Sequence, residues 1–367
     1  MVTGLLRTYA VAVLALGLAL LSGLGASLLS VPVPWLLGAV VGSLAMGFTR
    51  RRPGFPTPVR DVAFILLGYL IGSTASSDFF SSVSLWVPSV AASLLLIPAI
   101  TFGSALVIHR LTDLNADEAM LCSVPGSLPF VVAASEDLGL RSHIVVSFQS
   151  VRLLALTFIL PFALSAFPVL PDAEAITAAV TPTWGERMLG AFWTGEALTM
   201  TASLGFALAC AVGAGRLSIP APTFIGPMMG VAFAKLAGLP LPDLPLLLLF
   251  GAQAALGWIM GSRFDAISFA ELRRLAVACL AGLSVGVGVA VLACVVLAWS
   301  TGLEFRALVL ALAPGAIETV TSVALAQNVD PLFVSTHQIA RMLSIPMLVA
   351  GLLLVGRRLF AWLQPRT

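Results

Sequence analysis

Apolar residues in this chain run in long unbroken blocks. They do not form the one-sided stripe of a water-facing helix or the alternation of a half-buried strand. The first half has blocks near 8–29, 34–49, 60–76, 86–108 and 142–166. The second has blocks near 192–215, 222–238, 245–262, 275–299 and 332–356. A membrane-crossing helix needs about 20 apolar residues, so the pattern predicts about ten transmembrane helices, of which 34–49 is short. Before the last block of each half lies a segment that reads helix, Pro-Gly, helix: 115–138 and 305–328.

Composition explains why the blocks face lipid. Of 367 residues, 59% are hydrophobic and only 10% charged, and the mean hydropathy is +1.05. A soluble domain carries roughly 25% charged residues, too many to reconcile with this chain. The net charge of +2 and the lack of a basic run with interleaved aromatics argue against a nucleic-acid partner. Cys122, Cys210, Cys279 and Cys294 form no CxxC and sit in apolar runs, as small core residues do. With histidines only at 109, 143 and 337, no metal centre is expected, and no cofactor. The run from Tyr9 to Leu29 after Arg7 is too long for a signal-peptide core and reads as a retained helix.

The chain also repeats itself at an offset of 188 or 189 residues. Leu29-Ser-Val-Pro-Val-Pro-Trp-Leu-Leu-Gly matches Leu217-Ser-Ile-Pro-Ala-Pro-Thr-Phe-Ile-Gly. Gly68-Tyr-Leu-Ile-Gly-Ser matches Gly257-Trp-Ile-Met-Gly-Ser. Pro125-Gly126 matches Pro314-Gly315, Gln149 matches Gln338, and Arg152 matches Arg341. The expected organisation is a first membrane repeat at 1–168, an extracytoplasmic linker at 169–187 and a second repeat at 188–367.

Whether the copies are inverted depends on the broken segments. If they re-enter, each copy has five spans and the copies are inverted; if they cross, each has six and the copies are parallel. The excess of Lys and Arg on the cytoplasmic side arbitrates. Inversion with a cytoplasmic N-terminus places 14 basic residues inside and three outside, Arg187, Lys235 and Arg306. The parallel arrangement places 12 inside and five outside. The expected protein is therefore all-α, with two inverted repeats, each carrying a re-entrant Pro-Gly hairpin. It sits in a bacterial inner membrane with both termini cytoplasmic.

Interrupted helices in inverted repeats are a recurring plan of secondary transporters. A break in lipid frees backbone groups that hydrocarbon cannot satisfy, so it survives only inside protein or beside water. Half-helix starts at Pro125-Gly126-Ser127 and Pro314-Gly315 would expose N–H groups and a partial positive charge, attracting an anion. Gln149 and Arg152 share a helix face, as do Gln338 and Arg341. A mid-membrane arginine costs roughly 3 kcal/mol even on the mildest scale. Two readings stand for the arginines: they hold an anionic substrate oriented by the glutamines, or they neutralise carbonyl ends of the broken helices. Glu318, in the first turn after Gly315, is welcome at a helix start, and is also a candidate partner for Arg341 or proton carrier. His337 is a candidate relay with it.

The Pro-Gly segment followed by a Gln-x-x-Arg helix, present twice, resembles the AbrB family of duplicated bacterial membrane proteins, over residues 8 to 356. In that family the segment often reads Pro-Gly-Gly and then a glutamate. Here only the second copy keeps the acid, as Glu318; the first has Pro129. Some members carry the label ammonia monooxygenase, and one lineage is linked to regulation of gene expression. No cluster of histidine and carboxylate ligands supports an oxygenase, and nothing resembles the unrelated DNA-binding proteins of the same name. The expected function is secondary transport of a small anionic solute by alternating access, with proton or sodium coupling open and a homo-oligomer compatible. A membrane sensor or regulator is the alternative, although no loop is long enough for an output domain. An intramembrane enzyme lacks a nucleophile–base pair, so the chain is not expected to be an enzyme.

Overall fold

The computed structural model describes residues 2–47, 55–75, 79–126, 128–167, 197–239, 241–262 and 269–363. The expected linker at 169–187 and Ser127 lie outside them. The described residues form 14 helices and no strand. The first seven are α1 Val2–Leu28, α2 Pro34–Gly47, α3 Thr57–Gly72, α4 Phe79–Leu111, α5 Ala116–Ser123, α6 Leu128–Asp137 and α7 Ser142–Ser165. The second seven are α8 Ala197–Arg216, α9 Pro222–Leu236, α10 Leu246–Ser262, α11 Phe269–Thr301, α12 Phe305–Leu312, α13 Ile317–Ala326 and α14 Pro331–Leu363.

Six helices, α1, α4, α7, α8, α11 and α14, are long and apolar enough to cross a membrane. Their outer faces carry side chains that water would not tolerate in such number, among them Leu198, Trp299 and Met347. The chain is thus a membrane-embedded, multi-pass helical protein. The other four predicted spans, α2, α3, α9 and α10, are helices of 14, 16, 15 and 17 residues. At 1.5 Å per residue they reach roughly 21 to 26 Å, short of a hydrocarbon core of about 30 Å.

The chain packs as two compact units: residues 1–82, 161–263 and 321–332 form one, and 83–160, 264–320 and 333–367 the other. Each draws on both halves of the sequence, so packed units and sequence copies are different divisions of the chain.

In the first unit the matched blocks occupy matched positions. After α1 and after α8 the chain makes the same stop. Ser30 and Ser218 take left-handed conformations (φ 54° and 55°). Val31 N–H then donates to Ala26 C=O and Ile219 N–H to Ala214 C=O, both at 3.0 Å. That is the six-to-one bond of a Schellman cap. Val33 and Ala221 are left-handed too, and Pro34 and Pro222 open the next helices, where a missing N–H costs nothing.

The short helices pair across the repeat at glycines. A Cβ on Gly257 of α10 would lie 2.2 Å from Leu36 C=O of α2, and one on Gly261 2.8 Å from Val40 C=O. Ser43 Oγ adds a hydrogen bond to Trp258 C=O at 2.9 Å. On the matched pair, a Cβ on Gly68 of α3 would lie 2.4 Å from Phe224 C=O of α9, and one on Gly72 2.4 Å from Met228 C=O. Numbers rise together in both pairs, so α2 runs parallel to α10, and α3 to α9. Glycine removes the side chains that would hold the backbones apart.

In the second unit α4 and α11 meet through Gly103 with Val285, Gly286 with Ile100 and Gly282 with Ile108. Here numbers rise in opposite senses, so these helices are antiparallel. Ser104 Oγ donates to Gly282 C=O at 2.7 Å across the same seam.

The first broken element leaves where it enters. Asn115 and Glu118 form a reciprocal capping box at the start of α5. The same Glu118 carboxylate accepts from Arg141 Nε and Nη2, both at 2.7 Å. Arg141 lies just past α6 and also reaches Asp113. The two ends of 115–138 are thereby tied together. Asp117 in the same turn pairs with Arg357 of α14 at 2.8 Å. Hydrogen bonding from Arg141 pulls the Glu118 carboxyl from 4.5 down to about 2.

Two predictions follow from this packing. Gly68→Val and Gly257→Val should each destabilise the folded protein by at least about 1–3 kcal/mol, since the added carbons meet backbone rather than mobile side chains. Gly17→Ala and Gly205→Ala, with open space around the added carbon, should be silent; thermal unfolding in detergent reads the difference. The depressed Glu118 carboxyl contributes stability that is complete above pH 4.5 and lost as pH falls towards 2. Glu118→Gln should flatten the acid limb of unfolding over that window, and an unchanged acid limb would contradict the latch.

Candidate functional site

Both breaks begin as a proline problem. Proline has no N–H, so the carbonyl four residues earlier loses its helical partner. For Pro125 that carbonyl is Leu121, and for Pro314 it is Leu310. Each is claimed by the matched glutamine: Gln149 Nε2 donates to Leu121 C=O at 2.9 Å, and Gln338 Nε2 to Leu310 C=O at 3.1 Å. The same amides reach Val124 C=O and Ala313 C=O, just before each proline, at 3.2 Å.

The arginines complete the clamp. Arg152 Nη1 donates to Val124 C=O at 3.0 Å and Ser123 C=O at 3.3 Å. Arg341 Nη1 donates to Ala313 C=O at 2.6 Å, and Nη2 to Gly315 C=O at 2.9 Å. In both copies Nη2 also donates to the glutamine Oε1 on the same helix. All four side chains are buried. Each guanidinium therefore lies over the carbonyl end of a half-helix, where the backbone dipole is negative. Of the two readings open for the arginines, the carbonyl contacts are the ones made among the described residues. Each glutamine shares the open carbonyls with the arginine one turn further along its helix and accepts a hydrogen bond from it.

The charge is not cancelled. Neither Arg152 nor Arg341 has a carboxylate within ion-pair distance among the described residues. Arg152 Nε is buried without a hydrogen-bond partner. Arg152 lines a small pocket with Cys122 and Ser123 at the end of α5, Ser104 of α4, Cys279 of α11 and Pro314 of the other break.

The remaining predicted residues separate. Gly126 and Gly315 are in the breaks; a Cβ on Gly126 would collide with Ile345, and one on Gly315 with Val320. Glu318 sits half-buried in the first turn of α13. It makes no ion pair with Arg341 and has no hydrogen-bond partner among the described residues. His337 is fully buried, with Nδ1 against Phe333 C=O at 2.8 Å and Nε2 against Ser89 Oγ at 2.9 Å. Among the described residues no direct hydrogen bond joins Glu318 to His337. Among the described residues no three of His, Cys, Asp and Glu form a metal-holding group. Sequence reasoning missed Cys122 and Cys279 as cavity walls. Nothing in their spacing links them, because they come from α5 and α11.

The model of a protein family described as "Transition state regulatory protein AbrB" matches residues 35–355. A protein of Bacillus subtilis (strain 168) described as "Uncharacterized protein YhjN" is 24% identical over 335 residues, covering 86% of this chain and 85% of that protein. One of Escherichia coli (strain K12) described as "Putative regulator AbrB" is 23% identical over 336 residues, covering 89% of this chain and 91% of that protein. No solved structure matches. A family match running from the start of α2 into α14, across both broken elements and both Gln-x-x-Arg helices, places the chain in the AbrB family.

Proposed function

We propose that this chain is a secondary transporter of the bacterial cytoplasmic membrane that moves a small anionic solute by alternating access. The observation that carries the reading is the cavity at Arg152. It is bordered by the end of one broken element, by Pro314 of the other, and by a buried guanidinium with no carboxylate partner. Two buried guanidiniums and the half-helix starts at Leu128 and Ile317 give this region a positive field. Glu318, half-buried in the first turn of α13, is the candidate for a coupling proton.

The helix directions support inverted copies of five spans each, with ten crossings in all. If every predicted span crosses and the broken elements do not, α2 and α10 cross in one direction, while α4 and α11 cross in opposite directions. Crossing breaks would reverse both relations. The tie from Glu118 to Arg141 supports re-entry as well, because it closes the first broken element on one side. Both termini are then cytoplasmic, as the distribution of arginines favours.

The names of the family and of the Escherichia coli relative favour a second reading, in which the bound solute is a signal that alters gene expression. Uptake separates the two. Full-length protein in proteoliposomes on a solid-supported membrane is expected to give currents on jumps of chloride, monocarboxylate, dicarboxylate, sulfonate or phosphate; binding without translocation of any would favour the sensor. Arg152→Lys and Arg341→Lys keep the charge but lose the fork that spans carbonyl and glutamine. Each should lower uptake at least about tenfold, a barrier change of about 1.4 kcal/mol, in protein that still runs monodisperse. Wild-type uptake by both variants would remove the guanidiniums from the site. A thiol reagent should modify Cys122 and Cys279 only as the cavity opens, and the transported anion should slow that reaction.

A further inference from the structure

Three long helices of the second unit bring exposed arginines to one end. α4 and α14 lie side by side and run the same way. Ser89 meets His337 towards one end, and the rings of His109 and Phe360 meet at the other, with centroids 4.8 Å apart. α11 packs against α4 in the opposite sense. The ends of α4 and α14 and the start of α11 therefore share a side, where Arg110, Arg358 and Arg273 are exposed. None of the three makes an ion pair among the described residues. The acids of the neighbouring hairpin entrance are paired elsewhere: Asp113 and Glu118 with Arg141, and Asp117 with Arg357. Glu136 and Asp137 close α6, on the hairpin itself. Glu271 and Arg274, beside Arg273 in sequence, cancel in formal charge.

Helix dipoles explain only part of this placement. A cation is favoured in the last turn of α4, where Arg110 lies, but gains nothing near the N–H end of α11, where Arg273 lies. Each arginine also stands beside aliphatic side chains that face outward. Val277 and Leu280 follow Arg273 at helical spacing, and Leu354 and Val355 precede Arg358 in the same way; all four are exposed, as is Leu111 next to Arg110.

We propose that this end of the second unit is a docking surface for anionic phospholipid. Headgroup phosphates pair with Arg110, Arg273 and Arg358, and acyl chains lie along the aliphatic strips. The guanidinium fork matches a phosphate, and arginine clusters at the ends of spanning helices attract anionic lipid. A zwitterionic headgroup carries its own ammonium, which these arginines repel. The first two turns of α4 and α14 and the last two of α11 hold no lysine or arginine, so the surface is one-sided. The topology proposed above assigns it to the cytoplasmic leaflet; the surface itself does not depend on that topology.

Full-length protein in detergent, titrated with phosphatidylglycerol and with phosphatidylcholine of the same chains, tests the proposal by native mass spectrometry and thermal unfolding. Phosphatidylglycerol is expected to bind at least about tenfold more tightly and to raise the unfolding temperature more, an advantage that shrinks as salt rises. Changing Arg110, Arg273 and Arg358 together to Gln should remove the preference and leave the lipid-free unfolding temperature unchanged, because the side chains are exposed. Each single change should lower it about twofold, and the triple change to Lys, which keeps the charge, should retain most of it. Arg60→Gln, in the first unit where Arg60 pairs with Asp61, should change nothing. Equal binding of the two lipids by the unaltered protein, or an intact preference in the Gln variants, would overturn the proposal. Inorganic phosphate stabilising the protein as much as phosphatidylglycerol does would overturn it too, by making the surface a site for a free anion.

Discussion

The structure turns on one backbone carbonyl in each half of the chain. Proline at 125 and at 314 leaves the C=O of Leu121 and of Leu310 without its helical donor. In hydrocarbon such a group costs several kcal/mol, and no water is at hand. Gln149 and Gln338 supply the missing N–H, and Arg152 and Arg341 take the carbonyls that follow. Everything else in the second unit is compatible with that repair. The half-helices can be short because their ends are satisfied by side chains, and the clamp helices α7 and α14 must stay packed against them to deliver those side chains.

The repair has an electrostatic consequence. Arginine reaches carbonyls that the amides do not, Ser123 and Gly315, and it adds charge; among the described residues no carboxylate pairs with either guanidinium. A half-helix carbonyl end stabilises a cation, but a partial dipole does not neutralise a full charge. The unit is therefore stable and electropositive at once, which suits an anion site built from structural parts. Glu118 shows the opposite arrangement at the outer end of the same element. There the carboxylate satisfies its own helix start and closes an ion pair with Arg141.

Particular residues show how far the sequence could be read. The blocks, the repeat offset and the Gln-x-x-Arg pairs were visible because hydrocarbon imposes long apolar runs and duplication leaves equal spacings. The glycines of the second repeat block, Gly68, Gly72, Gly257 and Gly261, stood out as matched residues. Their role as close contacts between α3 and α9 and between α2 and α10 did not, because no local rule says which helix a glycine will meet. His337 was visible as a titratable residue on an apolar helix, yet its partner is Ser89, 248 residues away. The cavity was not visible at all, since its walls come from α4, α5, α7, α11 and the second break.

Sequence alone determined the solvent of this protein, its helical class, its family resemblance, the places where helices break and the side chains available to mend them. Those follow from composition, run length and the missing N–H of proline, which are properties of neighbours in the chain. Tertiary structure alone decided which carbonyl each amide and guanidinium would meet, in which direction the paired helices run, and which side chains line one pocket. These depend on which surfaces come within hydrogen-bond reach, and that is set by the packing of segments up to 248 residues apart rather than by any one of them.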